Sequence, residues 1–252
     1  MKLRIITPII TTGFASAAQF TSLVRAGTEV SHVGIARGPA SIESAFDEAL
    51  AVPDTIVRIV EAEQDGMEAV VINCMGDPGV KAGLAAVSIP VIGPCEASMH
   101  VAAMLGHAFS ILTVLARLRT QFEHLAAVYG LREQLASVRS VEIPVLDLDA
   151  DRLRMEEALV EQAQEAVERD GAHVLIFGCT GMLGAADRVQ LGLGARGHGD
   201  VPVIDPMVAA IGLAEALVGM RLSHSKRTYP LPPAKRIVGY DLSLERGAVP
   251  AD

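Results

Sequence analysis

Basic charge is scarce in this chain of 252 residues: 21 Lys and Arg stand against 30 Asp and Glu, a net charge of −9. Nucleic acid is therefore not an expected partner, because phosphate contacts need clustered Lys and Arg. Cysteine is scarce as well, with three residues. Three make no disulfide framework, and in a reducing compartment they stay thiols unless they do chemistry. No apolar run reaches the roughly 18 residues of a bilayer span, so no membrane partner is expected. MKLRIITPII at the start offers no small-residue cleavage site and runs straight into strand-like sequence, so a cytoplasmic location is expected. Among His32, His100, His107, His124, His173, His198 and His224 no pair has the H-x-x-x-H spacing of a zinc helix. They read as surface or capping residues, and no metal is expected. The glycine-rich LGLGARGHG (191–199) lacks the Lys-Ser/Thr pair of a phosphate loop and reads as a plain loop, with a flap over a cleft as the rival. Disorder is excluded too, since half of the residues are hydrophobic and 20% are charged.

What the chain does contain is a repeated strand that ends in cysteine. QDGMEAVVINC (64–74) and RDGAHVLIFGC (169–179) share an Asp-Gly, an apolar β-branched run and a terminal thiol, 105 residues apart. LRIITPII (3–10) has its counterpart in FSILTVL (109–115), which sets Thr113 over Thr7, and IPVIGP (89–94) has its counterpart in VPVIDP (201–206). Apolar runs without alternation, separated by helical patterns, are the mark of parallel strands covered on both faces. A twofold repeat of this length is a duplicated domain, not a solenoid.

Taken in order, the pattern predicts a strand at 3–10, a helix at 14–26 closed by Gly27, and a strand at 29–36. A helical stretch then opens at Ser41 and Glu43, and a separate helix runs over 53–65 before the Cys74 strand. Short helices at 79–86 and 96–106 flank the strand at 89–94. In the second half a helix at 117–129, a strand near 139–146 and a long helix at 151–169 precede the Cys179 strand. A helix at 207–220 and a polar tail with Tyr229, Pro230, Pro232 and Pro233 follow. The expected fold is α/β: two pseudo-symmetric, Rossmann-like domains, each a parallel sheet flanked by helices. Residues 1–100 with 206–225 would form the first, 101–205 the second, and 226–252 a tail. Ligands of such sheets bind outside the carboxyl ends of the strands, so Cys74 and Cys179 are expected to face each other across a cleft that holds a small molecule.

A thiol at a helix N-terminus has a lowered pKa, and each cysteine precedes a glycine and a possible helix. The backbone N–H groups of Met75 and Gly76, and of Thr180 and Gly181, are the expected donors to an oxyanion. One thiolate and one thiol on opposite faces of a carbon can exchange its proton, which is racemase or epimerase chemistry without a metal or organic cofactor. Cys95, matched by Met207 in the other half, reads as a core thiol. Asp77 and Glu43 could tune a thiol or bind substrate, and for Asp77 a helix cap beside Pro78 and Gly79 is the stronger reading.

GPASIES with DEALAVPDT (38–55), NCMGDPG (73–79), IPVIGPCEASMH (89–100), LGHAFSIL (105–112), FGCTGM (177–182) and VPVIDP (201–206) resemble, in order, the aspartate/glutamate/hydantoin racemase superfamily, and within it the hydantoin racemase branch. The resemblance implies a cofactor-independent, homo-oligomeric racemase acting on 5-monosubstituted hydantoins; the similar allantoin racemases act on a ureido-hydantoin. It assigns the acid/base pair to Cys74 and Cys179. Thr7, Asn73, Met75, Gly76, Thr113, Thr180 and Gly181 are the candidate substrate contacts. The family usually opens with an Ile-Asn-Pro-Asn-Thr-like segment, whereas here Thr7 and Ile9 replace the asparagines, and Val114 follows Thr113 where a second threonine is common. A racemase or isomerase of another small ureide or carboxylate, or a binding protein that has lost catalysis, are the alternatives.

Overall fold

The computed structural model describes residues 1–233 and 235–240. The elements of the first half are β1 (Lys2–Thr7), α1 (Ala17–Thr21), β2 (Glu29–Gly34), α2 (Ala45–Gln64), β3 (Ala69–Ile72), α3 (Val80–Ala86), β4 (Val91–Ile92) and α4 (Pro94–Leu105). Those of the second are β5 (Phe109–Thr113), α5 (Arg119–Val128), β6 (Leu135–Ser140), α6 (Arg152–Glu168), β7 (Val174–Phe177), α7 (Ala186–Ala195), β8 (Val203–Ile204) and α8 (Pro206–Gly219). They build two four-stranded sheets of the same order, β2-β1-β3-β4 and β6-β5-β7-β8. Every strand pair is parallel. All residues of β3 and of β7 are buried, as unalternating AVVI and VLIF require.

The two halves are tied by an exchange of helices. After β4 the chain crosses over, so that Cys95, Met99 and Ala102 of α4 pack with Phe109, Ile111 and Phe177 of the second sheet. After β8 it crosses back, and Met207, Ala210, Ile211 and Ala214 of α8 pack with Leu3, Ile5 and Val71 of the first. Ala97 of α4 joins this latter cluster, so the two crossing helices lie side by side between the sheets. The carboxyl ends of both sheets thereby open on the same region.

Several sequence expectations need correction. α1 is five residues long instead of spanning 14–26, because Phe14 turns toward the space between the sheets and Phe20 alone anchors the helix. Pro53 does not begin a helix: α2 runs through it, capped by the Ser44 hydroxyl, which accepts from the Asp47 N–H. Burial of Ala51, Ile59 and Ala62 along one face outweighs the hydrogen bond that a proline removes. β6 ends at Ser140, ahead of Pro144. The glycine-rich 191–199 stretch is half helix: α7 runs to Ala195, and Gly192 lies so close to Val160 of α6 that a Cβ would sit 2.6 Å from its methyl. It covers no cleft.

Asp77 is a cap, but not of its own helix. In the left-handed region at φ 51°, it turns its carboxylate to accept the N–H groups of Cys95 (3.0 Å) and Glu96 (2.9 Å), the first turn of α4, and the Tyr129 hydroxyl (2.8 Å). In the second half the matching α8 is capped in place by Asp205, which accepts from Met207 N–H at 3.0 Å. The first half has Gly93 at that position, and a Cβ there would lie 2.3 Å from the Asp77 carboxyl carbon. The Asp77 carboxylate thus fills the space that the cap's own side chain fills in the other half. The described part of the tail holds no helix or strand; Lys226 donates to the Leu84 carbonyl at 2.8 Å and to that of Val87, closing the end of α3. Of the expected tail, Ala234 and residues 241–252 lie outside the described residues.

Asp77→Ala removes the cap and leaves the Tyr129 hydroxyl without its acceptor. It should destabilise the protein by about 2 kcal/mol, read as a lower midpoint in urea unfolding; an unchanged midpoint would exclude the cap.

Candidate active site

The two strands that carry the cysteines end in the same way. The Asn73 N–H donates to the Ile6 carbonyl at 2.7 Å, and the Gly178 N–H to the Leu112 carbonyl at 2.7 Å. Each is the last ladder bond before a thiol. One further bond crosses between the halves: the Thr180 hydroxyl donates to the Asn73 carbonyl at 3.2 Å. Cys74 and Cys179 consequently line one cavity, with about 530 Å³ of unoccupied space when its open mouth is included. Thr7, Asn73, Met75, Gly76 and Thr180 share that wall.

Two of the expected contacts stand elsewhere. Thr113 is fully buried and turns its hydroxyl to the Gly178 carbonyl at 3.5 Å. Gly178 has no room for a side chain beside it, since a Cβ would meet Thr113 at 2.7 Å. Gly181 lines a smaller neighbouring cavity bounded by Phe14, Gln19, Asn73 and Asp149. The sequence pattern gave no sign of the apolar wall from Phe14, Ile42, Leu118, Phe122 and Val145, or of Gln121. Gln121 of α5 donates to Glu48 of α2 across the mouth, over Gly76, where a Cβ would come within 3.0 Å of the Gln121 amide nitrogen. These residues are scattered along the sequence, from the loops before α1 and α2, the turn before α5, α5 itself and the turn at Val145, and meet only in the fold.

The electrostatics reverse one expectation. Burial pushes the Cys74 thiol far above its ordinary range, opposed by the Gly76 N–H on its sulfur at 3.5 Å. Negative charge on Cys179, Asp77 and Glu48 adds to the rise. Cys179 is pushed up to about 11 by burial, opposed by the Gly181 N–H at 3.4 Å, with Glu43 adding to the rise. No helix N-terminus lowers either thiol. α3 begins six residues after Cys74, and only a three-residue 3₁₀ turn, Thr180–Met182, follows Cys179. Asp77, the cap of α4, is raised to about 7 by burial, opposed by the hydrogen bonds it accepts. Glu43 accepts from the Val145 N–H at 2.8 Å, another bond between the halves. Cys95 is wholly buried, its thiol raised by burial, and does not reach the cavity. The histidines likewise stay off the cavity wall, and no group of His, Cys, Asp and Glu suited to a metal occurs among the described residues.

Two parallel sheets of the same order thus each deliver a strand-end thiol to one shared cavity, sized for a small molecule. The family model described as Asp/Glu/hydantoin racemase matches residues 8–214. The chain is 38% identical over 244 residues to a hydantoin racemase of Pseudomonas sp. (strain NS671), covering 95% of each. It is 37% identical to one of Rhizobium meliloti, covering 95% of this chain and 98% of that one. An allantoin racemase from Pseudomonas fluorescens superposes with a TM-score of 0.88 at 33% identity, over 95% of this chain and all of that one. Arylmalonate decarboxylase and the glutamate racemase of Francisella tularensis, at 16% identity and TM-scores of 0.64 and 0.60, share the fold. The chain belongs to the Asp/Glu/hydantoin racemase family and is an isomerase of the racemase type.

Burial of the thiols makes alkylation a test of these surroundings. The rate at which iodoacetamide modifies Cys179 should climb about tenfold per pH unit from 7 to 10 as the thiolate fraction grows, and Cys95 should remain unlabelled in the folded protein. A plateau already at pH 8, read by mass spectrometry, would contradict the raised thiol.

Proposed function

We propose that the protein racemises small 5-monosubstituted hydantoins, with Cys74 and Cys179 as the two acid/base groups. The observation that carries this is the convergence of both thiols on one cavity from two sheets of the same order. The thiolate of one cysteine takes the proton at the stereocentre and becomes a thiol. The electron pair moves onto the adjacent carbonyl oxygen as an enolate. The other cysteine gives its proton to the opposite face, the carbonyl re-forms, and that sulfur is left as the thiolate. Every proton is accounted for, and the roles reverse for the other enantiomer. Backbone N–H groups suit the enolate oxygen: those of Met75 and Thr180 make no backbone hydrogen bond of their own, and those of Gly76 and Gly181 contact the sulfurs.

A neutral ring suits the cavity better than an anion. Its wall carries no Lys, Arg or His, and the charges that act on the thiols from behind it are those of Glu43, Glu48 and Asp77. A carboxylate would lose its hydration there without gaining a cation. The names of the relatives, hydantoin racemases at 37–38% identity, point the same way. A ureide such as allantoin is the second reading, supported by the superposition on the allantoin racemase.

The test follows single enantiomers of 5-benzyl- and 5-isobutylhydantoin by loss of optical rotation in deuterated buffer. The parent should lose rotation and incorporate deuterium, and Cys74→Ser or Cys179→Ser should each lower kcat/KM by about 10² to 10⁴. Serine variants that racemise as fast as the parent would leave the thiols structural. Because one sulfur must first ionise from a raised pKa, kcat/KM should also rise between pH 7 and 9; a flat profile would contradict the raised thiols.

A further inference from the structure

We propose that Asn73 sets substrate specificity: its side-chain oxygen accepts a hydrogen bond from a substrate N–H, so the site selects neutral N–H-bearing rings and ureides over carboxylates. This rests on the racemase reading above and names what recognises its substrate class. Asn73 is 4% exposed and borders both the thiol cavity and the smaller one beside it. Its other hydrogen-bonding groups are committed. The N–H donates to Ile6, the carbonyl accepts from Thr180, and the side-chain Nδ2 donates to Thr7 Oγ1 at 3.0 Å. The Oδ1 atom, buried, has no partner. A buried carbonyl oxygen left unpaired is costly in a finished structure and marks a place where a donor belongs.

The amide is held from behind. Thr7 Oγ1 lies 2.8 Å from His32 Nε2, and His32 is half-buried with its pKa lowered by that burial, which favours the neutral ring. With the neutral ring protonated on Nδ1, Nε2 accepts the hydrogen bond of the Thr7 hydroxyl; Thr7 Oγ1 in turn accepts from Asn73 Nδ2, which leaves Oδ1 as the unpaired atom. Thr7 and His32 are in this sense positioning residues. Of the cavity's other polar side chains, Thr7 bonds Asn73 and His32, Thr180 donates to the Asn73 carbonyl, and the Gln121 amide nitrogen donates to Glu48.

The second half offers no equivalent. Gly178 stands at the position that matches Asn73, and Thr113 closes the space that a side chain would need. The two thiols are therefore placed symmetrically while the polar recognition is one-sided. A ring can then keep one hold on Asn73 whichever sulfur removes the proton. The same oxygen repels a carboxylate, whose two oxygens offer no donor.

The experiment compares racemisation of 5-benzylhydantoin, its 1-methyl and 3-methyl derivatives, and N-carbamoyl-phenylalanine by chiral chromatography, in the parent, Asn73→Leu and Asn73→Asp. In the parent, methylation at one ring nitrogen should lower kcat/KM about tenfold or more. Asn73→Leu keeps the bulk and removes the acceptor, so it should slow the N–H ring to the level of that methylated ring and erase the difference. Asn73→Asp keeps an acceptor and should keep the difference. Thr7→Val, which frees the amide, should shrink it, and decides the matter if the Leu variant does not fold. If Asn73→Leu retains the full methylation penalty, the penalty is steric and the inference falls while the racemase reading stands. Faster turnover of the carbamoyl amino acid than of the ring by the parent would mean that Asn73 presents its nitrogen, and would likewise overturn it. A parent inert on every hydantoin and ureide would bring down both.

Discussion

The bond from the Thr180 hydroxyl to the Asn73 carbonyl joins the carboxyl end of one parallel sheet to that of the other, and the proposed two-thiol chemistry depends on that juncture. Each sheet by itself places a thiol at a strand end, where it could only deprotonate from one side. Joined, the sheets give a cavity with a sulfur from each. The exchange of α4 and α8 serves the same end, because each sheet is covered by the helix that follows the other sheet's last strand. A change in the angle between the sheets would have to repack both crossing helices at once.

Burial gives this arrangement its character. Both thiols are raised by the loss of water, and the cavity wall holds no basic side chain to draw them down. Each sulfur has instead one backbone N–H, from Gly76 or Gly181. A thiol with a high pKa is a poor thiolate source but, once ionised, a strong base. That fits a carbon acid whose proton leaves only with difficulty. Glu48 and Asp77 raise Cys74 further and Glu43 raises Cys179, and the charge of Cys179 itself raises Cys74, which disfavours ionising both sulfurs together.

The duplication was legible because it rests on local pattern: QDGMEAVVINC and RDGAHVLIFGC each carry a buried strand and a thiol in a stretch short enough to read. The meeting of the thiols follows from that repeat, whereas the strand order β2-β1-β3-β4 and its copy come from the fold. Element ends were less legible where tertiary packing overrides local signals, as in α2 running through Pro53 and Phe14 leaving its helix for the cavity. The thiol pKa was misread for the same reason. Proximity to glycine and a helix is written in the sequence, whereas desolvation depends on residues such as Phe122 and Leu118 that arrive from α5 and the turn before it. Asp77 shows the limit well: its cap-forming chemistry is evident, but only the fold reveals that it caps α4 across a gap left by Gly93.

The central claim is that two sulfurs act on opposite faces of one carbon, and the most direct test is where solvent deuterium goes in the earliest turnovers. A single enantiomer of a turned-over hydantoin is incubated in deuterated buffer to a few per cent conversion, and the two enantiomers are then separated and weighed for label. Two opposed bases predict deuterium in the newly formed enantiomer and almost none in the recovered starting one. Deuterium in the recovered enantiomer, with protium carried over into the product, would mean that one group serves both faces and would contradict the account.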